Sequence, residues 1–175
     1  MVQPERFSDL PEYAFPRLRA LLSGIQPGGD PMVMTIGEPR HAIPEFVAPI
    51  MAASIADFGK YPPNEGTPAL LGAISGWIGR RHGLDVAPDR ITSLNGTREG
   101  LFNAVLALCP EQKNGARPAI LIPNPFYQVY AVAAAAVGAE PVFVPATVET
   151  GHLPAYASLD AATLDRTAIA YLCSP

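Results

Sequence analysis

The sequence predicts an α/β fold in which a mostly parallel sheet is flanked by helices. Short β-prone runs alternate with helical segments from residue 91 onward, which is typical of parallel strands joined by helical crossovers. The chain is 49% hydrophobic and 16% charged, so its 175 residues can bury a core of ordinary size. At residues 90–102 a β-prone run turns through Asn95-Gly96 into a helical pattern, and the rest of the chain is organised around this unit.

The first part of the chain alternates helix and loop. Apolar residues at helical spacing predict a helix over residues 12–24, and an apolar run predicts a strand over 32–36. A second helix is predicted over 44–58, where Pro49 falls near the first turn and is tolerated there. Its inward residues are expected to be Phe46, Val47, Ile50 and Ile55.

A third helix follows a loop that is rich in proline. Thr67 is its predicted N-cap, Pro68 takes the favoured first position, and Gly83 ends it. Its predicted apolar face, with Trp77 expected in the core, consists of Leu70, Leu71, Ile74, Trp77 and Ile78.

The second half predicts the sheet. Residues 91–94 read as a strand and residues 97–109 as a helix, with Thr97 as N-cap. The buried face of this helix is predicted to comprise Leu101, Val105 and Leu108. The remaining elements are predicted as strands over 118–122, 141–144 and 168–173, a helix over 127–137 capped by Gly138, and a weak helix within 151–164.

Charge and composition exclude several classes of protein. A net charge of −4 and a pI near 5.3 argue against a general nucleic-acid binder. No apolar run approaches the roughly 20 residues of a membrane span, and the start lacks the order of a signal peptide, so we expect a cytoplasmic protein that does not bind membranes. The three histidines lie far apart, which argues against a metal site.

The two cysteines, Cys109 and Cys173, are isolated in apolar surroundings. We expect buried free thiols of a cytosolic protein, and a disulfide between them stays open as an alternative.

The turn at residues 95–97 is a candidate phosphate site. A strand that turns through glycine into a helix presents unpaired backbone N–H groups, and the helix dipole adds to their attraction for an anion. No Gly-Lys-Ser/Thr follows the turn, and only Gly96 and Gly100 are present, so neither a Walker loop nor a dinucleotide fingerprint fits. Taken alone, the turn also suits an ordinary tight βα connection.

Neighbouring turns strengthen the phosphate interpretation. Ligands of parallel sheets bind beyond the carboxyl ends of the strands, where residues 95–97, 124–127 and 174–175 are all expected. That arrangement suits a planar phosphorylated cofactor with its ring stacked on Tyr127 and its phosphate on residues 96–98.

The order of these motifs resembles the front part of a fold-type I, pyridoxal-phosphate-dependent aminotransferase, from about Tyr13 to Pro175. The resemblance implies a phosphate-binding turn at Gly96-Thr97-Arg98, in the segment Asn-Gly-Thr-Arg-Glu-Gly-Leu-Phe. It implies ring stacking by Tyr127, in the segment Asn-Pro-Phe-Tyr-Gln-Val-Tyr. Gly37, in Ile-Gly-Glu-Pro, would lie against the substrate carboxylate, and Tyr61 would reach the cofactor phosphate of the neighbouring subunit. A homodimer is therefore part of the implied active site.

Within the family, the segments Ile-Gly-Glu-Pro-Arg-His and Tyr-Leu-Cys-Ser-Pro are most like the enzymes that transaminate N-succinyl-2-amino-6-oxopimelate in bacterial lysine biosynthesis. The resemblance implies amino-acid and oxo-acid substrates, with glutamate as donor, in a ping-pong reaction. It also implies residues 1–40 as an N-terminal helix and substrate-side arm, and residues 41–175 as the first part of a large domain that is incomplete at its C-terminus.

The family's Schiff-base lysine is the main departure. The chain has only Lys60, in the loop implied to face the second subunit, and Lys113, in a polar turn. Neither follows a buried strand, where the family keeps that lysine, so no catalytic residue is assigned and the chain alone is expected not to transaminate.

Other interpretations of the same residues stay open. Tyr127 could pack a helix start, Tyr61 could be a surface residue, and Arg98 could contribute only its N–H group; Arg40 and His41 could meet an acidic substrate group or be solvated. The other possible functions are a nucleotide- or phosphosugar-binding module, a structural or interaction role for this chain, and a β-eliminating lyase of the same fold.

Overall fold

A computed structural model describes residues 4–8, 10, 12–37 and 39–173. The chain divides into two compact units, one of residues 1–23 and 94–175 and the other of residues 24–93. Their helices and strands, in chain order, are α1 (Ala14–Leu22), α2 (Val47–Ala53), α3 (Pro68–His82), α4 (Thr97–Leu108), β1 (Ala119–Asn124), α5 (Val129–Ala136), β2 (Glu140–Pro145), α6 (Ala161–Asp165) and β3 (Thr167–Ala170).

The unit of residues 1–23 and 94–175 contains a parallel sheet of three strands in the order β2-β1-β3, which confirms the predicted fold class. β1 pairs with β2 in continuous register and with β3 through an irregularity between Ala119 and Ile120. Because β1 is the central strand and is covered on both faces, Ile120 and Ile122 are fully buried. The predicted strand 118–122 is confirmed and runs two residues further, through Pro123-Asn124.

Helix α5 packs against the sheet through small side chains. Ala133 and Ala134 are fully buried, which confirms the predicted tight packing of the alanine-rich segment. Gly138 follows the helix with a φ of +71°, where glycine avoids the steric cost of a Cβ, and its N–H donates to the Ala135 carbonyl at 3.0 Å.

The amino ends of the strands are tied together by arginine side chains. Arg117 donates to the carbonyl oxygens of Gly138 and Ala139 at 2.8 and 3.0 Å. Arg166, at the entry to β3, forms an ion pair with Glu140 of β2 at 2.7 Å. These contacts join all three strands at their amino ends, opposite the carboxyl end of β1 that leads into residues 124–127.

The unit of residues 24–93 contains α2, α3 and two short 3-10 helices, Ile55–Gly59 and Pro88–Arg90. The predicted cap of α3 is confirmed, because the Thr67 hydroxyl oxygen accepts from the Leu70 N–H at 3.2 Å and Gly83 adopts φ +67° at the other end. None of the described residues of this unit is fully buried.

Several predictions for this unit are wrong. Residues 32–36 and 91–94 form no strand, because no described strand lies beside them to complete a hydrogen-bond ladder. The helix predicted over 44–58 breaks at Ser54 into α2 and a 3-10 turn, and Phe46, Ile50 and Ile55, predicted inward, are exposed. Trp77, predicted in the core, is 53% exposed and contacts His82 edge-on.

The described residues differ from the predictions in smaller ways elsewhere. Leu108 is exposed while Val105 is fully buried, so the buried face of α4 is shorter than predicted. Neither cysteine forms a disulfide; Cys109 is half-buried, whereas Cys173, three residues past the end of β3, is exposed. No described helix is long and apolar enough to cross a membrane.

Replacing Ile122 by alanine should lower the free energy of unfolding by about 2–5 kcal/mol, because the fully buried side chain leaves a cavity between sheet and helices. The measurement is urea denaturation followed by circular dichroism. Leu153→Ala, at a position 69% exposed, is the control and should change the free energy by less than about 0.5 kcal/mol. Equal effects of the two substitutions would contradict the assignment of β1 as the core strand.

Candidate cofactor site

The turn before α4 is held open by its glycine. Gly96 is the N-cap of α4 with a φ of +133°, a conformation that L side chains rarely adopt. Thr97, predicted as the N-cap, is instead the first helical residue, because the backbone already breaks at Gly96. The first N–H groups of any α-helix lack an intrahelical partner, and Gly96 offers them no side-chain acceptor.

Space lies next to this turn. A Cβ built at Gly96 would meet no atom within 4 Å, so the glycine is required by its backbone conformation rather than by crowding. A cleft of about 520 Å³ opens beside it. Its lining residues are Tyr13, Asn95, Gly96, Arg98, Glu99, Phe102, Gln128, Val129 and Val132.

Tyr127 comes close to the same turn. It lies between the end of β1 and the start of α5 and is 40% exposed. The guanidinium carbon of Arg98 lies 5.8 Å from the centre of the Tyr127 ring, within the range of a cation–π contact. The structure thus brings together the predicted phosphate turn and the predicted stacking aromatic.

Tyr127 is supported from behind by two further tyrosines. Its ring meets Tyr130 edge-on at 5.8 Å, and Tyr130 stacks on Tyr171 with ring centres 3.9 Å apart. Burial raises the pKa of Tyr171 to about 12, with Tyr130 adding to the shift, and burial also raises the pKa of Tyr130. These phenols are therefore neutral at physiological pH. Tyr130 and Tyr171 were not among the predicted site residues, although the i, i+3 spacing of Tyr127 and Tyr130 was a usable signal.

The other predicted site residues lie in the unit of residues 24–93. Gly37 lies in an irregular segment, and an added Cβ there would meet no atom within 4 Å. Tyr61 lies in a loop with its side chain fully exposed. Ser174-Pro175, predicted as the third turn of the site, falls outside the described residues.

A larger cleft of about 630 Å³ lies over α5 and β2. Its lining combines apolar side chains, such as Ala135 and Phe143, with Arg6 and Arg117, and Arg117 already donates to two carbonyl groups of the chain. The smaller cleft differs in lying at the start of α4, with Arg98 and the acidic Glu99 both in its lining. Among the described residues, no group of His, Cys, Asp and Glu side chains could hold a metal ion.

The model of the aminotransferase class I and II family matches residues 29–175 of the chain. The chain belongs to this family. Pyridoxal phosphate is the cofactor of these aminotransferases.

Individual aminotransferases resemble the chain along nearly all of its length. An LL-diaminopimelate aminotransferase of Desulforudis audaxviator is 32% identical over 178 residues, which cover 99% of this chain and 44% of that protein. A bifunctional aspartate and glutamate/aspartate-prephenate aminotransferase of Petunia hybrida is 31% identical over 155 residues, or 86% of this chain and 31% of that protein.

Solved structures agree with these relatives. An aminotransferase of Neisseria meningitidis superposes with a TM-score of 0.87 at 34% identity, over 99% of this chain and 44% of that one. The chain thus spans less than half the length of the aminotransferases that it matches.

Replacing Gly96 by alanine should weaken pyridoxal phosphate binding by the full-length protein about tenfold or more, because a side chain at φ +133° carries about 1–3 kcal/mol of strain and pulls the turn out of shape. The dissociation constant can be measured by equilibrium dialysis of the apoprotein. Gly28→Ala is the matched control, since an added Cβ there is equally unobstructed and Gly28 does not have a positive φ in this range. Unchanged affinity in Gly96→Ala would remove the turn from the site.

Proposed function

We propose that the full-length protein is a pyridoxal-phosphate-dependent aminotransferase and that this chain holds the cofactor at two points. Residues 96–98 bind the phosphate and Tyr127 stacks on the ring. The observation that carries the proposal is the 5.8 Å approach of the Arg98 guanidinium to the Tyr127 ring at the glycine turn that begins α4.

The turn fits the phosphate in three respects. The first N–H groups of α4 are available as donors, and the positive end of the helix dipole favours a dianion. Open space next to Gly96 leaves room for the phosphate oxygens. Arg98 adds a positive charge to the lining of the cleft, to which the acidic Glu99 also belongs.

Tyr127 fits the ring of the cofactor. A partly exposed aromatic side chain can cover one face of a planar ligand, and offset stacking of this kind contributes about 0.5–1.5 kcal/mol. The edge-on contact with Tyr130 fixes the Tyr127 ring from the side, so its plane is set before a ligand arrives. A tyrosine that only packed a helix start would be expected to be more buried.

When bound, pyridoxal phosphate supplies an aldehyde that accepts an amino group and a ring that withdraws electrons from the amino-acid Cα. The residues of this chain bind and orient that ring. Lys60 is exposed beside Asp57 at 4.0 Å, and Lys113 lies in a tight turn with Ala116. Neither lysine follows a buried strand, where the family keeps its Schiff-base lysine, and we propose that the chain of 175 residues alone does not transaminate.

The unit of residues 24–93 is proposed to complete the site. Gly37 would seat the substrate carboxylate, and Tyr61 would reach the cofactor phosphate of a second subunit in a homodimer. Two features support this role: the Tyr61 side chain is fully exposed, and the unit leaves large apolar side chains exposed, as interaction surfaces do. Those side chains include Met32, Met34, Ile43, Phe46, Ile55 and Phe58.

The proposed reaction takes the amino group of glutamate and passes it to N-succinyl-2-amino-6-oxopimelate. Support for an acceptor of this kind comes from relatives that are LL-diaminopimelate aminotransferases, whose named substrate has the same seven-carbon diacid skeleton. A different acceptor or a β-lyase reaction would use the same residues, and the Petunia hybrida relative acts in aspartate and prephenate transamination. We also propose a cytoplasmic location, which the free thiols of Cys109 and Cys173 support.

The full-length protein purified with pyridoxal phosphate should show a visible absorbance band of the bound cofactor that disappears when glutamate is added. N-succinyl-2-amino-6-oxopimelate should then restore the band faster than its counterpart without the succinyl group. Absorbance spectra of the two half-reactions measure both steps. A folded protein with no visible band would exclude the cofactor and favour a phosphate-binding module, whereas a band that glutamate leaves unchanged would exclude glutamate as donor.

Replacing Tyr61 by phenylalanine should lower the affinity of the full-length protein for pyridoxal phosphate by about fivefold, the usual worth of one hydrogen bond, and leave the affinity for unphosphorylated pyridoxal unchanged. Fluorescence titration of the apoprotein measures both constants, and sedimentation velocity establishes the dimer. A monomeric full-length protein, or a loss of affinity equal for both ligands, would contradict the proposed role across the interface.

A further inference from the structure

A closed circuit of contacts links the turn at Gly96 to the aromatic at Tyr127. Arg98, in the first turn of α4, approaches Tyr127, which abuts Tyr130 of α5. Tyr130 stacks on Tyr171, just after β3, with an angle of 16° between the ring planes. The Tyr171 hydroxyl then donates to the carbonyl oxygen of Leu101 at 2.8 Å, which returns the circuit to α4 one turn beyond Arg98.

Tyr171 is the most firmly held member of this circuit. It is 6% exposed, and its backbone N–H donates to the Leu121 carbonyl of β1 at 2.9 Å. Its own carbonyl oxygen accepts from the Tyr156 hydroxyl at 2.6 Å. The backbone of Tyr171 is thus fixed to the central strand β1. Its side-chain hydroxyl is bonded to a different element, helix α4.

The first turns of α4, which the structure describes in full, contain no fully buried side chain that would fix their position. Val105 is the only residue of α4 that is fully buried, and it lies about two and a half turns after Gly96. Leu101 and Phe102 are half-buried at the edge of the core. The hydroxyl bond of Tyr171 therefore acts at the point where the buried part of α4 gives way to its open N-terminal turn.

We propose that Tyr171 is a positioning residue, whose hydroxyl sets the separation between the phosphate turn and Tyr127 that one cofactor molecule must span. This inference rests on the proposed function. A ligand that contacts both the phosphate turn and Tyr127 binds more tightly when the two are already at the right separation. The affinity of a ligand that contacts only one of them does not depend on that separation. Tyr171 belongs to neither of the two proposed contact points and acts through Leu101 and Tyr130.

The test is the phosphate preference of the full-length apoprotein, defined as the dissociation constant for pyridoxal divided by that for pyridoxal phosphate. Both constants are measured by fluorescence titration at a temperature well below the melting transition. Tyr171→Phe keeps the stacked ring and removes the bond to Leu101, so the phosphate preference should fall by about fivefold.

Thr167→Val is the matched control, because it also removes one partly buried hydroxyl bond, that to the Thr163 carbonyl oxygen at 2.8 Å, but leaves Tyr171 and α4 untouched. Its phosphate preference should stay within about twofold of the wild type. A Tyr171→Phe variant that melts earlier with an unchanged phosphate preference, or an equal loss in both variants, would overturn the inference and make Tyr171 a purely structural residue.

The same titrations distinguish failure of the proposed function from failure of the positioning role. A wild-type protein with no phosphate preference would refute the proposed function itself, whereas a wild-type preference that Tyr171→Phe retains refutes only the positioning role. If Tyr171→Phe does not fold, Tyr130→Met removes the ring between Tyr127 and Tyr171 and keeps the bond to Leu101. It should lower the preference as well, and an unchanged value would again overturn the inference.

Discussion

The burial of strand β1 on both faces is the constraint on which the rest of the sheet-containing unit depends. Its side chains are shielded by α5 and by further apolar residues, so separating the strand from its neighbours would expose isoleucines to water. Because β1 is parallel to both neighbours, its carboxyl end and that of β3 emerge on the same side. Tyr127 and Tyr171 follow those ends, and their meeting through Tyr130 is a consequence of the strand order.

The elements that were predictable from sequence are those whose cause is local. The cap at Thr67, the left-handed glycines at the ends of α3 and α5, and the alternation of strand and helix after residue 118 depend on residues close in the chain. The aminotransferase family was recognisable for the same reason, since its motifs are short and ordered. The position of Gly96 as N-cap was missed by one residue, because a threonine next to a glycine offers two plausible helix starts.

Features that depend on contacts between residues far apart in the chain could not be predicted from the sequence. The runs at 32–36 and 91–94 have strand-forming composition, yet a strand exists only where another lies beside it. Trp77 and Ile55 have the spacing of core residues and are exposed, because helical periodicity shows which face is apolar but not what covers it. The bond from Tyr171 to Leu101 joins residues 70 positions apart and leaves no pattern in the sequence.

The arginine contacts at the amino ends of the strands have a consequence for how this protein can change. Arg117 and Arg166 join the strands at their amino ends, and the glycine turn and the tyrosines lie at the carboxyl ends. The contacts that stabilise the sheet and the proposed cofactor site thus lie at opposite ends of the same three strands. Substitutions that stabilise the sheet at the amino ends should therefore have little effect on the proposed site at the carboxyl ends. Thermal stability and ligand preference can then evolve independently.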